Sequence, residues 1–124
     1  MMDYSDLIEQ ARAVARPIHP SGDCRAGDVG AVIVSSSGQS YTGICVEFEC
    51  GMGFCAEHAA VAKMLENQES KIAQVVAVTY TGDILPPCGR CREMMWQLDD
   101  ANKEASVILG LKEAQPLKAL LPFR

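Results

Sequence analysis

Two short cysteine motifs constrain this chain more than any other feature. Cys55-Ala56-Glu57 opens an alanine-rich helical stretch, and Pro87-Cys88-Gly89-Arg90-Cys91 opens another. Cys88 and Cys91 are three positions apart, so at a helix start both sulfurs can face one point. If the two helices are adjacent, Cys55 joins them and three sulfurs converge on one cation. Helix N-termini carry partial positive charge and lower thiol pKa values, which favours the metal-binding thiolate. Between the motifs lies the strongest strand pattern of the chain, residues 72–81, with Val75, Val76, Val78 and Tyr80.

The rest of the chain frames these elements. Residues 5–16 place Leu7, Ile8, Ala11, Val14 and Ala15 at helical spacing, and Pro17 and Pro20 end the pattern. A loop is expected over 18–28. Residues 29–34 form a short β-branched apolar run, the turn residues 35–38 follow, and 40–48 read as a second strand paired with the first as a hairpin. Residues 50–53 are a glycine-bearing loop, 55–67 a helix, 82–87 a loop, 88–98 a helix and 105–111 a strand. Residues 116–121 read as a short amphipathic turn closed by Pro122. Strands that alternate with helices after a starting hairpin indicate an α/β fold, a mixed sheet with helices on both faces.

At 124 residues, the chain is expected to be one domain spanning 1–124. Its net charge of -5 argues against a nucleic-acid partner, and no apolar run reaches the ~20 residues of a membrane span. The acidic start Met1-Met2-Asp3-Tyr4-Ser5-Asp6 lacks the pattern of a secretory leader, so a cytoplasmic location is expected. In that compartment six cysteines read as ligands, catalytic groups or reduced core thiols rather than disulfides. Cys24, Cys45 and Cys50 lie outside the motifs and read as small buried hydrophobes. Met94, Met95 and Trp96 read as core or subunit contacts.

Three thiolates without an evident fourth ligand match a catalytic zinc site, which keeps one position for a water whose pKa falls to ~7. A closed structural site with His58 as fourth ligand is the alternative, although His58 is expected to point elsewhere on its helix. Glu57, two residues from Cys55, is placed to take a proton from that water and pass it to a leaving group.

Cys-Ala-Glu together with Pro-Cys-Gly-Arg-Cys-Arg resembles the zinc-dependent cytidine deaminase family in its small three-cysteine form, and within it the blasticidin-S deaminase branch. Val29-Gly30-Ala31, residues 43–47 and Leu120-Leu121-Pro122-Phe123 are similar to further family segments. The resemblance implies a three-layer α-β-α sandwich with a mixed, mostly five-stranded sheet. It implies one zinc per chain on Cys55, Cys88 and Cys91, with Glu57 as catalytic proton shuttle and Arg90 and Arg92 balancing thiolate charge. The backbone around Ala56 would hold a ring carbonyl, and Glu47 a ribose hydroxyl. The implied partner is a small aminated pyrimidine, and the implied assembly a homotetramer or homodimer. A zinc-binding module of the same fold without turnover is the competing reading.

Three positions depart from the nucleoside enzymes. Cys45 replaces the asparagine of an Asn-x-Glu ribose clamp, Gly27 stands where a phenylalanine is usual, and His58 replaces an arginine. The lost amide and aromatic would each cost about 1 kcal/mol or more of cytidine binding. Space freed at Cys45 and Gly27 is expected to admit a bulkier substituent.

Overall fold

In the computed structural model, residues 4–124 are described. Helix α1 (Tyr4–Val14) leads into strands β1 (Ile18–Ser21), β2 (Cys24–Ser35) and β3 (Ser40–Glu47). Helix α2 (Ala56–Glu66) and strand β4 (Ile72–Thr79) follow. Then come the two-residue β5 (Ile84–Leu85), helix α3 (Gly89–Leu98), β6 (Ser106–Gly110) and β7 (Glu113–Pro116). Among the described residues no helix is long and apolar enough to cross a membrane.

The two-residue period of the strands sorts the core into two halves. Val32, Val34, Val76, Val78 and Ile108 face Leu7 and Ala11 of α1. Ile33, Val75 and Val107 face the other way, onto Ala60, Val61 and Met64 of α2 and Cys91 and Met95 of α3. A fully buried Met95 or Ile108 contributes roughly 1.5–3 kcal/mol of apolar burial. The outcome is the three-layer α-β-α sandwich with a mixed sheet. β4 and β6 run parallel, whereas β2 is antiparallel to β1, β3 and β4.

The sheet has seven strands rather than five. β1 and the first residues of β2 occupy a stretch expected to be loop. All four residues of β1 are exposed, so no apolar alternation marks it, and the ladder closes through a Gly22-Asp23 turn between the partners Ser21 and Cys24. A register shift between Ala26 and Gly30 hides the start of β2 in the same way, because a bulge breaks the side-chain alternation. β5 lies in the expected loop 82–87, and β7 folds back on β6 with exposed and half-buried residues. These strands are held by backbone pairing rather than by apolar pattern. α1 stops at Val14, short of the expected Arg16, because the residue before Pro17 is pushed out of the helical region.

One close contact sets the depth of the site. A Cβ at Gly43 in β3 would lie 2.5 Å from the Ala56 carbonyl oxygen and 2.5 Å from the Ala60 nitrogen. Only glycine lets the first turn of α2 settle this closely on the sheet, which carries Cys55 and Glu57 down to the strand ends.

Candidate active site and metal centre

Cys55 and Cys88 immediately precede α2 and α3. Both have extended backbones, and neither side chain caps its helix, so both sulfurs are free to turn inward. Their Sγ atoms lie 3.4 Å apart. Cys91, one turn into α3, is fully buried, and its thiol contacts those of both other cysteines. The three sulfurs singled out from the sequence are therefore brought together.

Their electrostatics suit a cation. Burial pushes the Cys91 thiol far up, with Glu57 and the Cys55 sulfur adding to it. Burial also raises Cys55, as does the Cys88 thiol. At Cys88 burial is again the largest influence, but hydrogen bonds from the Cys91 and Arg90 backbone and from both thiols outweigh it, and the net shift is downward. A cluster of soft sulfur donors at two helix N-termini fits a thiophilic divalent ion, whose charge would invert the resistance of Cys55 and Cys91 to ionisation.

His58 is closer than expected. Its Nδ1 lies 3.5 Å from Cys91 Sγ, and the donor atoms of Cys55, His58 and Cys91 all fall within 4.8 Å of one another. This group could hold one zinc, with Cys88 beside it. The expectation that His58 points elsewhere is corrected by helix geometry: it stands three positions after Cys55 and shares its face. Burial, and then the Arg90 charge, lower the His58 pKa.

Glu57 is 4% exposed. Its carboxyl pKa is raised by burial, against the opposing hydrogen bonds of its own backbone N–H and the Cys91 thiol. It lines a cavity of about 130 Å³ together with Cys55 and Cys88. The remaining wall is small and apolar: Val29, Ala56, Ala77, Leu85 and Pro86. A buried carboxyl with a raised pKa, beside a candidate metal and facing a cavity, has the properties of a proton carrier.

A second cavity of about 440 Å³ continues outward and includes Cys45, Glu47, Phe48, Gly53 and Arg90. Cys45 borders both spaces, and its sulfur accepts the Val29 N–H at 3.3 Å. Glu47 is exposed at the mouth, and Arg90 donates to the Gly53 carbonyl at 3.4 Å. Arg92 instead donates to the carbonyls of Pro87 (2.7 Å) and Leu120 (3.2 Å), tying α3 to the segment after β7.

Gly27 frees no space, contrary to expectation. Its φ is +84°, and a Cβ there would meet the Arg16 carbonyl oxygen at 2.1 Å. A phenylalanine cannot stand there in this backbone. Cys50 is exposed rather than buried, and Cys24 and Cys45 are half-buried. Val29, Ala77, Leu85 and Pro86 are cavity residues that sequence reasoning missed. Their only signal was apolar character at strand ends, which core packing explains equally well.

The family model described as the cytidine and deoxycytidylate deaminase zinc-binding region matches residues 1–106. Cytidine deaminase 6 of Arabidopsis thaliana is 31% identical over 131 residues, covering 98% of this chain but 42% of that protein. A cytidine deaminase of Mycobacterium tuberculosis is 34% identical over 68 residues, covering 54% of this chain and 51% of the relative. The chain thus spans about half or less of the length of these curated relatives. Solved structures match it nearly end to end. The cytidine deaminase of Mycobacterium leprae superposes with a TM-score of 0.81 at 26% identity, covering 98% of this chain and 99% of that one. The Mycobacterium tuberculosis structure gives 0.83 at 27%, covering 99% and 97%.

Proposed function

This chain belongs to the family of the cytidine and deoxycytidylate deaminase zinc-binding region, and from that premise we propose that it hydrolyses the amine of a cytosine-type nucleoside or analogue. Cytidine, deoxycytidine and a blasticidin-S-like compound are the candidates. Water and the aminated ring give the uracil-type product and ammonia. The observation that carries this reading is Glu57, a 4%-exposed carboxyl of raised pKa lining a small cavity beside three converged sulfurs.

In this reading Cys55, Cys88 and Cys91 hold one zinc. When bound, zinc supplies Lewis acidity that brings the pKa of a water to ~7. Glu57 takes one proton from the attacking water and delivers it to the ring nitrogen, then takes the second from the hydroxyl so added and passes it to the departing amine, which leaves as ammonia. Burial raises the carboxyl's pKa, which favours a group that must both accept and donate a proton. Ala56, fully buried at the cavity wall, positions its backbone for the ring carbonyl. Glu47 and Cys45 border the outer space where the sugar would lie.

His58, whose lowered pKa disfavours the charged form, is placed beside the ligand set and leaves charge balance to Arg90. Its side chain borders a groove of about 510 Å³ with Phe54, Ala59 and Ala62, apart from the cavity that Glu57 lines. Cys55 and Cys88 both border the Glu57 cavity, so a three-thiolate set leaves the open position where the carboxyl is. The exposed Phe54 in that groove, with the exposed Phe48 and Met52 of the segment before it, supports a homotetramer or homodimer. A cytoplasmic location accords with six free thiols.

The test is ammonia release from a panel of cytosine compounds by the zinc-loaded protein, with Glu57→Gln as control. Turnover by the parent and none by the variant supports the enzyme. Stoichiometric zinc with no turnover of any panel member supports the silent module instead.

A further inference from the structure

The two connected cavities differ in size, about 130 Å³ beside Glu57 and about 440 Å³ outside it. They share Val29, Cys45 and Cys55. Glu57 and Cys88 border only the smaller one, so a reacting ring must sit there and its substituent in the larger. Part of the wall of that smaller cavity comes from the pairing of β4 with β5. Ala77 and Leu85 are register partners across that ladder, and so are Val78 and Ile84. Ala77 is nearly buried and offers a single methyl, whereas Leu85 is the one long side chain on that wall.

Its direction is enforced. Ile84 packs against the core on the α1 side, so the strand period sends Leu85 the other way, into the cavity. The backbone behind it cannot yield easily. Thr79 N–H donates to the Asp83 carbonyl at 2.8 Å ahead of β5, and Pro86 and Pro87 fix φ after it. Leu85 is 38% exposed and borders only the smaller cavity.

We propose that Leu85 is a specificity-determining residue, a gate that limits the reacting heterocycle to one ring while the outer cleft tolerates varied substituents. The gate rests on the deaminase reading above and assigns its limit to a single ring to one side chain. Filling a close-packed apolar space with a second ring forces displacement of its walls. In a hydrophobic pocket such differences correspond to roughly 10–200-fold in kcat/KM.

The experiment measures kcat/KM by ammonia release for cytidine and for the bicyclic aminated nucleosides adenosine and guanosine. Parent, Leu85→Ala, Leu85→Val and Leu85→Met are compared. The expected result is that Leu85→Ala gains about tenfold or more on a bicyclic nucleoside relative to cytidine, Leu85→Val gains less, and Leu85→Met keeps the parent ratio. Calorimetric binding of the products uridine, inosine and xanthosine gives a readout independent of turnover, and uses Leu85→Val if Leu85→Ala does not fold. Unchanged ratios in both assays, or a parent that already handles bicyclic and monocyclic rings alike, overturn the gate. A parent that releases no ammonia from any cytosine compound overturns the deaminase reading instead, and the product-binding ratios then decide the gate alone.

Discussion

Two glutamates at opposite ends of α2 show how one residue type is given two jobs. Glu57, in the first turn, is buried, and its pKa is raised mainly by that burial. Glu69, just beyond the last turn, is half-buried and its pKa is lowered, because the Ser37 and Tyr41 hydroxyls donate to its two oxygens. Asn67 in turn donates to the Tyr41 hydroxyl at 2.7 Å. Deep burial with few donors raises a carboxyl's pKa and suits it to carrying a proton. Dedicated donors lower it and make a carboxylate that stays ionised and anchors a turn. The helix therefore has a reactive end, where sulfurs and a carboxyl face a cavity, and a fastened end, where each named polar group has a partner.

The comparison is broken most severely by removing a sulfur from the reactive end. Cys88→Ala is expected to lose nearly all zinc and most activity, with weakened folding, since metal binding at a thiolate cluster is folding free energy. Metal analysis checks it, and full zinc occupancy in the variant would remove Cys88 from the ligand set. His58→Ala sharpens the same point. Three-thiolate ligation predicts retained zinc, whereas ligation by Cys55, His58 and Cys91 predicts loss.

Next in size is Glu57→Gln, which should keep zinc and fold but lose turnover by about 10²–10⁴-fold or more, since one group serves several proton transfers. Steady-state ammonia release measures this, and a variant retaining a tenth of the parent rate would assign the shuttle elsewhere.

A smaller change is expected at the boundary of the two cavities. Cys45→Asn restores an amide next to the outer space and can still accept the Val29 N–H. One added hydrogen bond of about 1 kcal/mol corresponds to roughly fivefold in kcat/KM for cytidine. The gain should be confined to substrates with a hydroxyl in reach. An equal gain on free cytosine, which lacks the sugar, would show that position 45 does not read the sugar.

The layers and the sulfur cluster were legible because strong local signals and tertiary structure agree there. Val75, Val76 and Val78 alternate between the two core halves, and Cys55, Cys88 and Cys91 open helices that meet. β1, β5 and β7 were not legible. They are short edge or accessory strands whose residues are largely exposed, so hydrophobicity cannot mark what backbone ladders hold. His58 is readable from its spacing to Cys55, since three positions along a helix return to the same face. Gly27 misled for a different reason. A missing side chain reads as a vacancy in sequence, yet the Arg16 carbonyl occupies the place, and only tertiary packing reveals that.

The fastened end yields the smallest effect and the clearest pH signature. Glu69→Gln should leave kcat/KM unchanged and lower Tm modestly, because it weakens the bonds from Ser37 and Tyr41. The sign follows from both partners. The Glu69 pKa is depressed in the fold, first by Ser37 and then by Tyr41, so its contribution is present above the unfolded value of about 4.3 and is lost as pH falls through the folded value. The Tyr41 pKa is raised, chiefly by its bond to Glu69, so its contribution is full below the unfolded value of about 10 and is lost as pH rises through the folded value. The Tm gap between parent and variant should accordingly be widest and flat between these limits and should narrow at both extremes. Thermal melts across pH would measure it. A gap that stays constant into acid and alkali would mean that the turn is held by packing rather than by this carboxylate. A parallel fall in kcat/KM would mean that the two ends of α2 are not independent, as the contrast between Glu57 and Glu69 requires them to be.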